Sequence, residues 1–136
     1  MFKHEPVDLG YKDLKAITKK GGRKYLIPNG NLYYPSITTI LGQLSKAAIM
    51  AWRDRIGHEE ANKISRQAAG RGTAVHTMCE AYVNNNPDYA KDAMPNILFD
   101  FNRIKDILDT RIGTVYGQEV PLYSDHLGVA GRVDCV

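Results

Sequence analysis

Four side chains in this sequence are of types that hold metal ions or move protons, and they fall in two groups: His76 with Glu80, and Glu119 with Asp134. His76 and Glu80 lie in a stretch, 72–83, where Val75, Met78, Cys79 and Tyr82 recur at i, i+3, i+4 and i+7. That spacing predicts a helix with those four on its buried side. At about 100° per residue, His76 falls at the edge of the apolar stripe and Glu80 and Thr73 one step nearer to solvent. An imidazole and a carboxylate one turn apart can reach one metal ion or one phosphate together, or can simply bond to each other on the surface. Asp134 sits in Gly131-Arg132-Val133-Asp134, among residues that otherwise favour a strand. Strands disfavour aspartate unless it has a ligand or a partner. A salt bridge to Arg132, two residues away on the same face, and a metal site are both open explanations. Glu119 lies in the preceding β-prone run and is a third acid able to converge there. Carboxylates are hard oxygen donors suited to Mg²⁺ or Mn²⁺, and an imidazole in the set leans toward Mn²⁺.

Whether Glu119 and Asp134 meet depends on the hairpin that carries them. Segments 114–123 and 129–136 are β-branched and aromatic runs flanking a turn-rich Ser-Asp-His-Leu-Gly segment, which predicts a hairpin. Side chains alternate between faces, so an even-length loop, either 125–128 or 124–129, puts the two acids on one face. A regular five-residue loop separates them unless a bulge intervenes. Pro121 cannot donate to a ladder, which favours a bulge or an edge position in that strand.

Earlier in the chain, runs 23–27 and 32–34 flank Pro28-Asn29-Gly30-Asn31 and predict another hairpin. Ser36 is expected to cap a short helix ending near Gly42 by accepting a first-turn amide. Further helices are expected over 46–56, closing at Gly57, over 58–70, over 72–83, and over 94–110, the last with Met94, Ile97, Leu98, Phe101, Ile104 and Leu108 on its apolar face. Asp13-Leu14-Lys15 falls in a basic stretch without a strand pattern.

At 136 residues, with 43% apolar and 24% charged, the chain is expected to form one domain with a real core. It has no apolar run of membrane-spanning length. The opening residues lack the apolar stretch of a secretory signal, so a cytoplasmic setting is expected. Cys79 and Cys135 do not make a disulfide framework. Their combination with His76 and His126 fits no compact zinc knuckle. The net charge of +3 is modest. Lys12, Lys15, Lys19, Lys20, Arg23 and Lys24 nevertheless crowd the N-terminal region, either as a solvated face or as a phosphate-contacting arm. Arg53, Arg55, Arg66 and Arg71 are placed on helices where they can line a phosphate track, and Trp52 is either a packing anchor or a base-stacking residue.

Taken together, Tyr-Pro-Ser-Ile-Thr-Thr-Ile-Leu at 34–41, Ala51-Trp52, Gly-Arg-Gly-Thr-Ala-Val-His-Thr-Met-Cys-Glu-Ala-Tyr at 70–82, and the C-terminal run from Gln118 through Gly131-Arg132-Val133-Asp134 resemble one family. Over 34–136 the chain is similar to RecB-like exonucleases of the PD-(D/E)XK superfamily, phage-type members and the mitochondrial genome maintenance exonuclease in particular. The resemblance implies an α+β fold with a restriction-endonuclease-like core: a basic segment and hairpin over 1–34, a helical part over 35–112 and a catalytic hairpin over 113–136, packed on the helix bearing His76. It implies that His76, Glu119 and Asp134 hold Mg²⁺ or Mn²⁺, that Glu80 joins them in catalysis, and that DNA is the partner; from their charge, ring or place on the helices, Lys19, Lys20, Arg23, Trp52, Arg53, Arg66, Arg71 and Thr73 are the expected contacts.

The family also places an Asp-x-Lys or Glu-x-Lys on a third strand after Gly-Arg-x-Asp, and the sequence reaches Val136 before one. The core is therefore expected to be incomplete. The resemblance implies the N-terminal portion of a divalent-metal-dependent DNA exonuclease, inactive alone and active when a C-terminal segment or partner chain adds that strand beside 129–136. Self-association through the same edge is a further expectation. The other reading, from a different functional class, is a non-catalytic DNA-binding or assembly module with a degenerate nuclease fold.

Overall fold

The periodicity around Val75 belongs to a helix longer than its spacing alone predicts. The computed structural model describes every residue from Met1 to Val136, as a mixed α+β chain with three helices and three small sheets. It contains two compact units, Met1–Glu5 with Ile56–Tyr116, and Pro6–Arg55 with Gly117–Val136. In chain order the strands are β1 (Lys3–His4), β2 (Ala16–Lys19), β3 (Gly22–Leu26), β4 (Tyr33–Pro35), β5 (Thr114–Val115), β6 (Gln118–Ser124) and β7 (Val129–Cys135). The helices are α1 (Ile37–Ile56), α2 (His58–Val83) and α3 (Pro95–Arg111).

In the first unit, Met78 of α2 and Ile97 and Phe101 of α3 form a buried cluster, with Val75, Cys79, Tyr82, Leu98 and Leu108 packed against it. This is the stripe read from the sequence. Tyr82 meets Phe101 edge-on at 5.4 Å between ring centroids and Tyr89 at 4.8 Å, the T-shaped geometry that aromatic quadrupoles favour. Pro95 opens α3 at its first turn, where its missing N–H costs nothing. β1 and β5 pair in parallel, Lys3 with Thr114 and His4 with Val115.

Two helix boundaries expected from the sequence do not exist. The predicted break at Gly70 is bridged by the single 26-residue α2, and the break near Gly42 by α1. A mid-helix glycine costs only about 1 kcal/mol relative to alanine, whereas a break leaves up to four N–H and four C=O groups without helical partners. Gly57 does break the chain, at φ 92°, a conformation in which a side chain is strained. The Ser36 cap also differs from expectation. The Ser36 carbonyl accepts the Thr39 and Ile40 amides, while its hydroxyl pairs with Thr38 Oγ1 at 2.8 Å.

In the second unit, the Asn29-Gly30 hairpin is present, with Leu26 opposite Tyr33 and Lys24 opposite Pro35. The N-terminal stretch expected to lack a strand supplies β2, which pairs antiparallel with β3, Ile17 opposite Lys24 and Lys19 opposite Gly22. Leu14, Tyr25, Ile27 and Ala130 of β7 share one buried cluster, surrounded by Tyr11, Tyr34 and Tyr123. No helix is long and apolar enough to cross a membrane.

Candidate metal centre

The hairpin that carries the acids is β6–β7, and its register answers the parity question. Ser124 pairs with Val129, so the loop is the four residues 125–128, closed by the Gly128 amide donating to the Ser124 carbonyl at 2.8 Å. Gln118 faces Cys135 and Val120 faces Val133, and these flanking pairs place Glu119 opposite Asp134. A carboxylate oxygen of each lies within 4.8 Å of the other. The ladder runs to the end of the hairpin, where Gly117 and Val136 exchange both backbone hydrogen bonds.

The irregularity expected near Pro121 falls two residues earlier. Glu119 has φ 51°, the left-handed region that costs an L-residue roughly 1–2 kcal/mol. Pro121 itself stays in register opposite Arg132, and its carbonyl accepts the Tyr11 hydroxyl at 2.9 Å. A strained backbone at an acid that meets a second acid is the kind of outlier that clusters at functional sites.

The salt bridge that Arg132 makes runs to Asp13. Its guanidinium donates to Asp13 Oδ1 at 2.6 Å and to the Glu119 carbonyl at 3.1 Å. Arg132 thus fixes the backbone of one acid while its charge is met by a carboxylate 119 residues away in sequence. Sequence reasoning missed Asp13 and Tyr11 in these roles, since no local spacing signals pairs so distant along the chain. Gly131 is explained by packing. A Cβ there would come within 2.9 Å of Ile37 Cγ2, so β7 approaches the start of α1 only because residue 131 has no side chain.

His76 and Glu80 lie one turn apart on α2 and are half-buried, as the helical spacing predicts, with Thr73 exposed one turn before His76. Arg71 is exposed on α2. It forms a bidentate ion pair with Asp100 of α3, Nη2 to Oδ1 at 2.7 Å with a still closer Nε–Oδ2 contact, which holds the Asp100 carboxyl below its ordinary value. Arg66 is exposed on α2, and Trp52 and Arg53 are half-buried on α1. Lys19, Lys20 and Arg23 are exposed at the β2–β3 turn. Both cysteines are free thiols. Burial pushes the Cys79 thiol up, and burial with the nearby Asp134 charge does the same at Cys135, so neither is poised as a thiolate ligand.

Glu119 and Asp134 therefore offer hard oxygen donors on a registered hairpin, a set that fits a divalent cation of the Mg²⁺ or Mn²⁺ type. No family model matches the chain, and neither a curated protein nor a solved structure matches it.

Proposed function

We propose that the chain is the N-terminal portion of a divalent-metal-dependent DNA exonuclease with a restriction-endonuclease-like core. The observation that carries this reading is the approach of Glu119 and Asp134 across β6–β7, with Arg132 turned to Asp13 and to the Glu119 backbone. Two carboxylates brought this close repel each other, and a divalent cation held between them offsets that repulsion. In this reading Glu119, Asp134 and His76 hold Mg²⁺ or Mn²⁺, and Glu80 orients His76 or the water that attacks.

When bound, such an ion polarises a phosphodiester and lowers the pKa of a nearby water. The chain's own residues fix the site: Arg132 holds the Glu119 backbone, Gly131 lets β7 seat against Ile37, and Tyr11 ties down the β6 carbonyl at Pro121. The reading also requires an Asp-x-Lys strand from a further segment or a partner chain, added beside β7.

The test is digestion of end-labelled DNA with Mn²⁺ or Mg²⁺, using the chain alone and with a separately supplied segment bearing an Asp-x-Lys strand. Activity that needs the mixture and is abolished by Asp134→Ala supports the proposal. A folded mixture that binds DNA but does not cut it favours the non-catalytic module.

A further inference from the structure

Lys15, Lys19 and Lys24 come together on a surface that the metal centre does not use. Between Leu14 and Arg53 the sequence has no aspartate or glutamate, and its cations in that span include Lys15, Lys19, Lys20, Arg23 and Lys24. The small sheet β2–β3–β4 turns much of that charge to one side. Tyr25 and Ile27 point into the core, so Lys24 and Leu26 point away from it, on the face opposite. Ile17 pairs with Lys24, which puts Ile17 on this outer face, flanked along the same strand direction by Lys15 and Lys19. The Leu26 amide donates to the Lys15 carbonyl at 2.9 Å, so the pairing extends to Lys15. Lys15 and Lys19 are thus diagonal neighbours of Lys24, around a half-buried Ile17, and all three lysines are exposed.

Tyr33 lies opposite Leu26 on β4 and is 42% exposed. It shares the outer face with the lysines, diagonal to Lys24. This tyrosine stands outside the Tyr11–Tyr123–Tyr34 packing beneath the sheet. None of the three lysines is ion-paired.

We infer that the outer face of β2–β3–β4 is a binding platform for a single strand of nucleic acid. Lys15, Lys19 and Lys24 neutralise successive backbone phosphates, and the Tyr33 ring stacks on one unpaired base. Lysines alone would suit any polyanion, whereas an exposed aromatic ring among them selects a ligand with a free π-face. The hairpin is a rigid base for such a platform, because the Ser36 amide donates to the Arg23 carbonyl at 2.8 Å and the Gly22 turn abuts Thr39 at the start of α1. The inference deepens the nuclease reading by giving it a place to grip the strand, and rests on that reading for its biological meaning. The binding itself needs no cation.

The test is fluorescence polarisation with a labelled oligothymidylate and a labelled duplex of equal length, in EDTA, on the full chain. Wild type is expected to bind the single strand in preference to the duplex. The triple variant Lys15→Gln, Lys19→Gln, Lys24→Gln should weaken binding at least tenfold and lower the log–log salt slope by about 2, since each single-strand phosphate contact contributes about 0.7. Tyr33→Ala should weaken it by about 5- to 100-fold and Tyr33→Phe should restore it, because stacking needs the ring and not the hydroxyl. Matching circular dichroism and melting curves identify folded variants. Binding unchanged in the folded triple variant overturns the platform. So does duplex binding as tight as single-strand binding and indifferent to Tyr33→Ala, or a preference for anionic lipid vesicles over the oligonucleotide. Because EDTA removes the cation, unchanged binding in the triple variant with metal-dependent digestion intact defeats only the platform. Lost digestion with platform binding intact defeats only the nuclease reading.

Discussion

Glu119 and Asp134 face each other across the β6–β7 hairpin with carboxylate oxygens within 4.8 Å, and Glu119 reaches that position with a backbone φ of 51°. Both features cost free energy in the absence of a ligand. The left-handed backbone is unfavourable for an L-residue, and two nearby carboxylates repel.

Replacing Glu119 separates these two costs. Glu119→Gly removes the carboxylate and relieves the backbone strain, and the strain relief by itself is expected to contribute up to about 1 kcal/mol of stability. Glu119→Ala keeps the strain and should gain less. Wild type is expected to melt higher when Mn²⁺ is added, and both variants should lose that rise, measured by differential scanning fluorimetry with and without the ion.

Arg132 and Asp13 form an ion pair in which both side chains are partly exposed, so the charge interaction itself should contribute no more than about 1 kcal/mol. The bond from Arg132 to the Glu119 carbonyl gives it a second role. A double-mutant cycle with Asp13→Asn and Arg132→Gln should show small coupling in stability, reduced by added salt. Arg132→Gln alone should weaken the proposed Mn²⁺ binding more than Asp13→Asn does, because only the arginine bonds to the Glu119 carbonyl.

The Arg71–Asp100 pair predicts acid sensitivity. Its hydrogen bond holds the Asp100 carboxyl below the ordinary 3.8, so the unfolded chain takes up the proton first as pH falls. The stabilisation is present above about 3.8 and is lost as pH drops through the lower folded value. Asp109, lowered by hydrogen bonds from Lys105 and Tyr82, acts in the same direction. Arg71→Gln should flatten the fall of melting temperature below pH 4 and leave the neutral-to-mildly-acidic slope unchanged.

Gly131 should tolerate no side chain without cost. Gly131→Ala drives a methyl into Ile37 Cγ2 and is expected to destabilise by about 1–3 kcal/mol in chemical denaturation. Ile37→Ala in the same chain removes Cγ2 and should recover part of that loss.

The sequence carried much of this arrangement in local patterns. The Val75–Met78–Cys79–Tyr82 stripe, the Asn29-Gly30 hairpin and the β6–β7 hairpin are all present. Parity reduced the meeting of Glu119 and Asp134 to loop length, and the four-residue loop satisfies it. What local pattern did not carry was whether a glycine ends a helix. Gly42, Gly70 and Gly72 lie within helices while Gly57 interrupts the chain, a difference set by flanking helix formers and packing. Nor could it carry contacts that join distant parts of the chain, such as Arg132 with Asp13, Tyr11 with Pro121, or the parallel pairing of Lys3 with Thr114. The strand β2 was hidden because it is only four residues long and lies between Lys15 and Lys20, and β3 beside it provides the ladder that makes it a strand.

The most direct test of the proposed centre is isothermal titration of the chain with Mn²⁺, repeated on Glu119→Gln, Asp134→Asn and His76→Ala, each first shown to be folded. The account predicts one ion per wild-type chain, with affinity reduced at least tenfold in each variant. Absence of binding in the wild type, or binding of equal strength in Glu119→Gln and Asp134→Asn, would contradict it.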